Sequence, residues 1–472
     1  MRAGTVTSRS IMALFVAVVL ASPEAVSGDR SNPRGMGMGR TVNATARQFD
    51  ALGINPALLG IRGWGTFSVG LAKVGVGLSS DFLTYDIYND YFTGTLDGDG
   101  QIVPTYLTDA DKERILAEFP DDVGTLYGDG EAGFLGFSLF VDGVGGFGFS
   151  ATDHIGGKAM LAKDYARFAL YGLDSLGSSY LFDGSGVGGW WWREYNVSFG
   201  MQIPLASGKV RQFYAGVGLK LVHGFGVAET VTSHGLLANE KVGINQYIAR
   251  LELDYLVRRA GSSALGEDQE DFPVFPDPAG SGLGLDLGVA ANFDGVLATL
   301  SVTDIGSISW TGNLSESYST YSGIITDPFD EATQDSIENA IEGKVRPGSA
   351  FSTSLPTRLR IGFSFLSDSV QALRGLPKGL LLAFDYTQGL TSSLNNTTTP
   401  RFSLGIEYRP IDFLPLRTGV SVGGGTNVRW AAGFGLDVHY ASLDVGVENV
   451  LLFFTPTEYD MLSLGAGLTV RF

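Results

Sequence analysis

From about residue 64 onward, apolar and polar positions alternate in runs of roughly ten residues, each closed by turn chemistry. The cleanest runs lie late in the chain. In 359–365 the apolar positions are Leu359, Ile361, Phe363 and Phe365; in 380–386 they are Leu380, Leu382, Phe384 and Tyr386. The runs 402–408, 416–423, 430–440, 443–447 and 461–472 read the same way, and earlier runs cover 66–80, 133–141, 145–153, 191–204, 211–223, 281–291 and 295–304. A period of two puts successive side chains on opposite faces of a strand. The segment 242–257 alternates as well, with Tyr247, Ala249, Leu251, Leu253 and Tyr255 against Gln246, Arg250, Glu252 and Asp254. An even strand count leaves both chain ends on one side of a membrane. The pattern therefore predicts about fourteen barrel strands, with 242–257 in an extracellular hairpin.

The connections alternate in length. Asp142–Gly145, Leu205–Lys209, Asn292–Gly295 and Pro410–Pro415 are short, whereas 82–132, 154–190, 224–280 and 305–356 are long. Short turns belong to the periplasmic end and long loops to the outside. Helices are expected inside three of the loops, at Asp109–Phe119, Lys158–Tyr171 and Asp330–Glu342, with Thr108 or Asp109 capping the first and Pro120 ending it. The run 261–280, rich in Gly, Pro and acid, is expected to be mobile.

No run of side chains makes a comfortable transmembrane helix, so a spanning chain has to close into a barrel to satisfy its backbone groups. The first 27 residues read as a secretory signal: Arg2 and Arg9, an apolar stretch Ile11–Ala21, then small residues with Ala25 and Ser27 suited to cleavage near 27. The last run ends on Phe472, in the manner of a closing strand read by the barrel-assembly machinery; an ordinary amphipathic strand is the alternative. Aromatic residues at run ends, Trp190–Trp192, Tyr195, Tyr408, Tyr440 and Phe472, suit interfacial girdles.

Composition narrows the classes. The chain has 66 Gly, no Cys and a net charge of −18, which removes disulfides and argues against nucleic acid. Acid concentrates in outer loops, at Asp97, Asp99, Asp109, Asp111 and Glu113 and again at Glu267, Asp268, Glu270 and Asp271. Asp97–Ile102 imitates the middle of a calcium loop, but its anchoring positions fall on Thr95 and Tyr106, so a tight turn is the better reading and no metal or other cofactor is expected. None of the four histidines, His154, His223, His234 and His439, is followed by serine two positions later. Asp153-His154 and Asp437-Val438-His439 are too loose to support barrel catalysis, so no catalytic residues are expected.

The segment before the first strand carries Gly35-Met36-Gly37-Met38-Gly39-Arg40, then Asp50-Ala51-Leu52-Gly53-Ile54-Asn55-Pro56-Ala57-Leu58-Leu59-Gly60. With the stretches Gly75–Asp81, Asn89–Phe92, Leu107–Lys112 and Leu355–Gly362, it resembles the FadL-type outer-membrane barrel superfamily, in an uncharacterised branch. The resemblance implies an all-β transmembrane barrel with an N-terminal hatch in its lumen, and Asn55 and Pro56 are the hatch-motif positions that match. The expected organisation is a signal peptide over 1–27, a hatch segment over 28–63 and the barrel over 64–472.

If the apolar parity faces outer-membrane lipid, then Arg358, Arg360, Asp385, Arg401, Glu407, Arg409, Arg417, Arg429, Asp437, His439, Asp444, Glu448 and Arg471 face inward. Opposite charges on neighbouring strands pair readily. The result is either a selectivity path or, as the stronger reading, a charge-paired and filled lumen, because buried charges need partners whatever the function. An apolar pocket for a greasy solute would have to come from the outer loops: Phe82, Leu83, Tyr85, Ile87, Tyr88, Tyr91 and Phe92, with Phe168 from the second expected helix. Packing of these loops on themselves is the competing reading. The function expected is passive uptake of a small hydrophobic or amphipathic molecule. The alternative is an outer-membrane platform or secretion accessory.

Overall fold

The computed structural model describes residues 29–472 apart from 64, 97–100, 104–105, 120, 174–177, 206–209, 244–245, 264–272, 326–329, 371–374, 425–427 and 455–460. The signal sequence, the acids Asp97 and Asp99 with their calcium-like turn, Pro120, and the acids Glu267 to Asp271 lie outside the described residues.

Fourteen antiparallel strands form the wall: β1 Phe67–Ser80, β2 Val123–Val141, β3 Gly145–Ala162, β4 Gly186–Ile203, β5 Gln212–Gly243, β6 Gly280–Phe293 and β7 Val296–Trp310. The second half comprises β8 Arg358–Leu366, β9 Leu381–Gly389, β10 Arg401–Ile411, β11 Leu414–Gly423, β12 Arg429–Val438, β13 Ala441–Val447 and β14 Met461–Arg471. Each strand pairs with its sequence neighbours, and β1 also pairs with β14, so the cylinder closes. At the seam, the Phe472 carbonyl accepts from the amides of Thr66 and Phe67, and the Phe472 amide donates to the Phe67 carbonyl. The β6–β7 turn is the two-residue Asp294-Gly295, with φ of +51° and +94°. Both central residues of a type I′ hairpin need positive φ, which Gly supplies without strain.

The alternation sorts as the sequence predicts. On β10, Phe402, Leu404, Ile406 and Tyr408 are exposed while Arg401, Ser403 and Glu407 are buried; on β14, Leu462, Leu464 and Leu468 are exposed against buried Ser463 and Thr469. A wall that is apolar outside and ionic inside is what a bilayer demands of a closed sheet. Among the described residues no helix is long and apolar enough to cross a membrane, and the crossing is made by strands. The chain is an outer-membrane β-barrel.

The strands exceed the periodic runs at their outer ends. β2 begins at Val123, β3 continues to Ala162 and β5 to Gly243. The outer part of β5 pairs with the strand Gln246–Gly261, which pairs with Ser315–Ile325, and that in turn with Lys344–Pro347. The segment 242–257 thus belongs to an extracellular hairpin, as the even count requires. The helix expected from Lys158 starts only at Lys163, because 158–160 pair with β4 and 158–162 with Val123–Tyr127 of β2. Asp109–Ala117 is helical with a reciprocal Thr108/Asp111 capping box, and Glu331–Glu342 is capped by Asp330. A second correction concerns the girdle: Trp190 and Trp192 are only 5% and 2% exposed and sit inside the barrel.

Candidate functional site: a three-layered lumen

Residues 29–61 lie inside the cylinder, and the side chains around them form three layers. The floor, at the periplasmic end, is apolar. Val42, Ala46, Ala51, Ile54, Ala57, Leu58 and Leu59 of the N-terminal segment pack on Tyr214, Ala290 and Leu297 of the wall. Asn55 is fully buried there. Its Oδ1 accepts from the Ala57 amide, capping the short turn opened by Pro56, and its Nδ2 donates to the carbonyls of Val289 and Leu300 on β6 and β7.

The wall that receives this segment is stripped of side chains. A Cβ at Gly75 would overlap the Arg30 carbonyl, at Gly446 the Pro33 carbonyl, at Gly419 the Met38 backbone and at Gly216 the Pro56–Ala57 peptide. Backbone therefore lies on backbone along the seat, a distance only Gly permits.

The middle layer is ionic. Asp29 makes a two-pronged bond to Arg360 on β8, at 2.7 and 2.9 Å. Burial alone would raise the Asp29 carboxyl, but the Arg360 guanidinium overrides it and holds the group well below the usual carboxylate range. The next residue, Arg30, turns to Asp129 on β2 at 2.6 Å and to Glu448 at 3.0 Å. Arg40 also meets Glu448, and Arg34 meets Glu407, which Arg417 shares at 2.8 Å. Asp385 accepts the amides of Val42 and Asn43 at 2.6 and 2.8 Å. Asp50 pairs with Lys73, which keeps its carboxyl lowered against the rise that burial favours. Lys220 is ringed by Glu194, Asp286 and Asp304.

The inward-read residues are thereby placed. Arg358 bonds Asn395 and Asn396 of the loop before β10, Arg401 and Arg429 are buried in the lumen, and Arg417 also reaches Asp444 at 2.6 Å. Arg409 and Arg471 flank Asp437 at 2.9 and 3.0 Å. His439 is exposed, edge-on to Tyr440 in the turn after β12. The first half of the layer, from Asp129 through Glu131, Glu194, Lys220, Asp286 and Asp304, escaped the sequence reading. The signal was present: Lys220 stands between Leu219 and Leu221, and Asp286 between Leu285 and Leu287.

The ceiling is aromatic. Tyr127, Trp190, Trp192, Val222, Ile308, Trp310 and Leu355 form one buried cluster. His154 stacks on Trp192 with centroids 4.9 Å apart, and its Nδ1 lies 3.4 Å from Glu131 Oε1. Its sequence neighbour Asp153 faces the other way and clasps Arg193 at 2.6 and 2.8 Å, so the two do not form a pair. Arg193 and Asp153 stand on the outward parity, where the Arg193 guanidinium lies over the rings of Phe134, Phe225 and Phe275.

The outer-loop aromatics do not converge. Tyr85–Tyr91 is a short helix with Ile87 buried and Tyr85 and Tyr88 exposed; Phe92 follows it, also exposed. Phe82 and Leu83 are half-buried, and Phe82 stacks on Phe119 at 4.6 Å. Tyr91 bonds Asp111 at 3.2 Å. Phe168 belongs to a different cluster, edge-on to Tyr180 under the extracellular sheet.

Spaces remain in and beside the lumen. A polar cavity of about 80 Å³ lies between floor and ceiling, bordered by Asp29, Glu131, Glu194, Lys220, Asp304 and Arg358. A groove of about 530 Å³ opens on the outer wall, between Val76, Leu78, Ile155, Val447, Leu462 and Leu464, with Gly128 and Gly130 at its base.

The family model described as a family of unknown function (DUF5723) matches residues 56–444. No curated protein matches the chain. Similar solved structures include the Pseudomonas putida toluene transporter TodX, at 11% identity and a TM-score of 0.40, covering 92% of this chain and 95% of that one. A Pseudomonas aeruginosa FadL homologue is similar at 13% identity and a TM-score of 0.44, covering 93% and 98%. The CymD monoaromatic hydrocarbon channel is similar at 13% identity and a TM-score of 0.43, covering 96% and 98%.

Proposed function

We propose that this chain, which belongs to the DUF5723 family, is an outer-membrane channel for passive uptake of small hydrophobic or amphipathic molecules, closed at rest by its own N-terminal segment acting as a hatch. The observation that carries this reading is the glycine-lined seat. A barrel whose only task is to stand in the membrane can fill its lumen with side chains of its own strands. Here Gly75, Gly216, Gly419 and Gly446 leave the inner wall bare, and a separate segment supplies the filling. That filler is held by ion pairs and by burial, both reversible interactions. Its withdrawal, or a local shift of its first residues beside Asp129, opens a path.

The apolar groove by Leu78 and Leu462 supplies the side exit. Only backbone separates it from the lumen where Gly128 and Gly130 face out and Gly75 and Gly77 face in. The solute enters from the outer loops and leaves toward lipid or periplasm.

The test is flux of a hydrophobic fluorescent probe into proteoliposomes. The intact barrel should pass it slowly, and a variant lacking residues 29–61 should pass it at least about tenfold faster, since the plug is the barrier. Equal and negligible flux through both would end the proposal.

One observation favours the rival platform reading. The extracellular sheet and the helix Glu331–Glu342 present Ile324, Ile341 and Val345 to solvent, an apolar surface suited to a protein partner. In that case neither variant conducts.

A further inference from the structure

We infer that the outer wall holds a single membrane lipid, its phosphate head against Arg259 and an acyl chain in the groove beside Leu78 and Leu462. The inference stands whether or not the barrel conducts; a solute leaving by the groove displaces the chain. It begins from strand register. Leu464, Val76, Gly130, Ile155, Trp191 and Gly226 are successive cross-strand partners on β14, β1, β2, β3, β4 and β5. They form one row across the wall, and the exposure of Leu464, Val76 and Ile155 shows that the row faces out. Beyond β5, Gly226 pairs with Gly261 and Ala228 with Arg259, so the same face continues onto the strand Gln246–Gly261.

The row climbs toward the outside. Counted from the periplasmic ends of their strands, Leu464 sits lower than Trp191, and Trp191 lower than Gly226. Two hollows open along it and meet at Ile155. The lower one is the groove of about 530 Å³, with aliphatic walls; Asp129, behind its floor, is turned inward to Arg30. The upper one, of about 590 Å³, lies between Trp191 and Arg259, with Ser263 and Ser315 on its border. Each has the size of a ligand pocket. Beneath Trp191, the exposed Val197, Val217 and Leu219 mark the hydrocarbon band, which places the indole at headgroup level.

Charge selects the occupant. The chain carries a net charge of −18, yet Arg259 is exposed and, among the described residues, has neither an ion pair nor a side-chain hydrogen bond. The nearby acids are engaged elsewhere, Glu229 by Arg258 and Glu316 by Arg346. None of the described residues bordering the upper hollow is acidic. A guanidinium on an outward face at that depth suits a phosphate, which it grips through parallel N–H bonds. A phosphate also keeps oxygens free for the hydroxyls of Ser263 and Ser315, whereas a carboxylate is used up by the fork. The apolar groove below then takes the chain that hangs from such a head, so the two hollows together match an anionic amphiphile rather than a free anion or a neutral oil.

The experiment uses the whole barrel, stripped of lipid in detergent, refolded and examined by native mass spectrometry with defined probes. Dipalmitoyl phosphatidic acid should be retained as one copy per barrel. Dipalmitoylglycerol, which has the chains without the phosphate, and glycerol phosphate, which has the phosphate without the chains, should not. Arg259→Gln should reduce phosphatidic acid occupancy by about tenfold, the scale of one charge-assisted bond. Gly130→Leu should reduce it similarly by filling the groove: a Cβ there meets Ile155 Cγ2 at 3.5 Å and Val76 Cγ1 at 3.7 Å, ordinary contacts that leave the wall unstrained. Both variants should migrate as heat-modifiable barrels, and Arg259→Gln alone decides the matter if Gly130→Leu does not fold. Retention unchanged in Arg259→Gln means a general lipid coat and overturns the inference. Equal retention of dipalmitoylglycerol overturns it too, and palmitate held as firmly as phosphatidic acid gives the site to a carboxylate solute instead.

Discussion

Arg360 and Asp29 show how single residues decide the state of the lumen. Replacing Arg360 by Met removes a guanidinium from a site where it is 1% exposed and leaves the Asp29 carboxylate buried without its partner. Breaking one side of such a pair costs roughly 3–5 kcal/mol. The expected outcome is release of the N-terminal segment without loss of the barrel, seen as protease cutting within residues 29–47 while the folded band persists on gels. Acid should act on the same contacts. Burial favours protonation of Asp29 and Asp50, but Arg360 and Lys73 hold both carboxyls below their ordinary value, so their contribution is complete above the unfolded value near 4 and is lost as pH falls through the lower folded values. Exchange protection of the residues beside Asp29 and Asp50 should be lost once the pH falls below about 4. Part of this scale was legible beforehand. Parity alone puts Arg358, Arg360 and Glu407 inside, because a one-residue offset would put charge in lipid. The seat at Gly75, Gly216, Gly419 and Gly446 was not legible, because glycine also serves strand curvature and carries no side chain to mark a partner.

At the scale of elements, periodicity holds where two solvents meet and fades where they do not. β10 and β14 lie between lipid and lumen, and their alternation is strict. The outer parts of β2, β3 and β5 have water or other strands on both sides, so no pattern is imposed and the sequence understates their length. Lys158–Ala162 shows the ambiguity: Met160 and Leu161 suit a helical face, yet the pairing with Gly186–Gly188 and with Val123–Tyr127 makes that stretch strand, and the helix begins only at Lys163. The same logic yields a contrast between two substitutions at one lipid-facing position. Leu404→Arg puts a cation on the lipid face of β10 and should destabilise the folded barrel by about 2–4 kcal/mol, while Leu404→Val should cost little. Urea titration in lipid vesicles, followed by tryptophan fluorescence, measures both.

For the whole molecule, the cylinder closes where its first and last strands meet. The residue after β14, Phe472, bonds Thr66 and Phe67 at the seam, and its ring lies 6.3 Å from that of Phe67. Removing Phe472 should lower the yield of folded protein in the outer membrane, read as loss of the heat-modifiable band, because the seam loses its last bonds. The N-terminal segment hangs directly from this seam. Its cations Arg30 and Arg40 both meet Glu448, a partner some four hundred residues further along and supplied just before the final strand. A chain that stops short of that glutamate carries two guanidiniums with one counter-charge missing. The pairing thus makes the lumenal packing of the first residues depend on the delivery of the last strands.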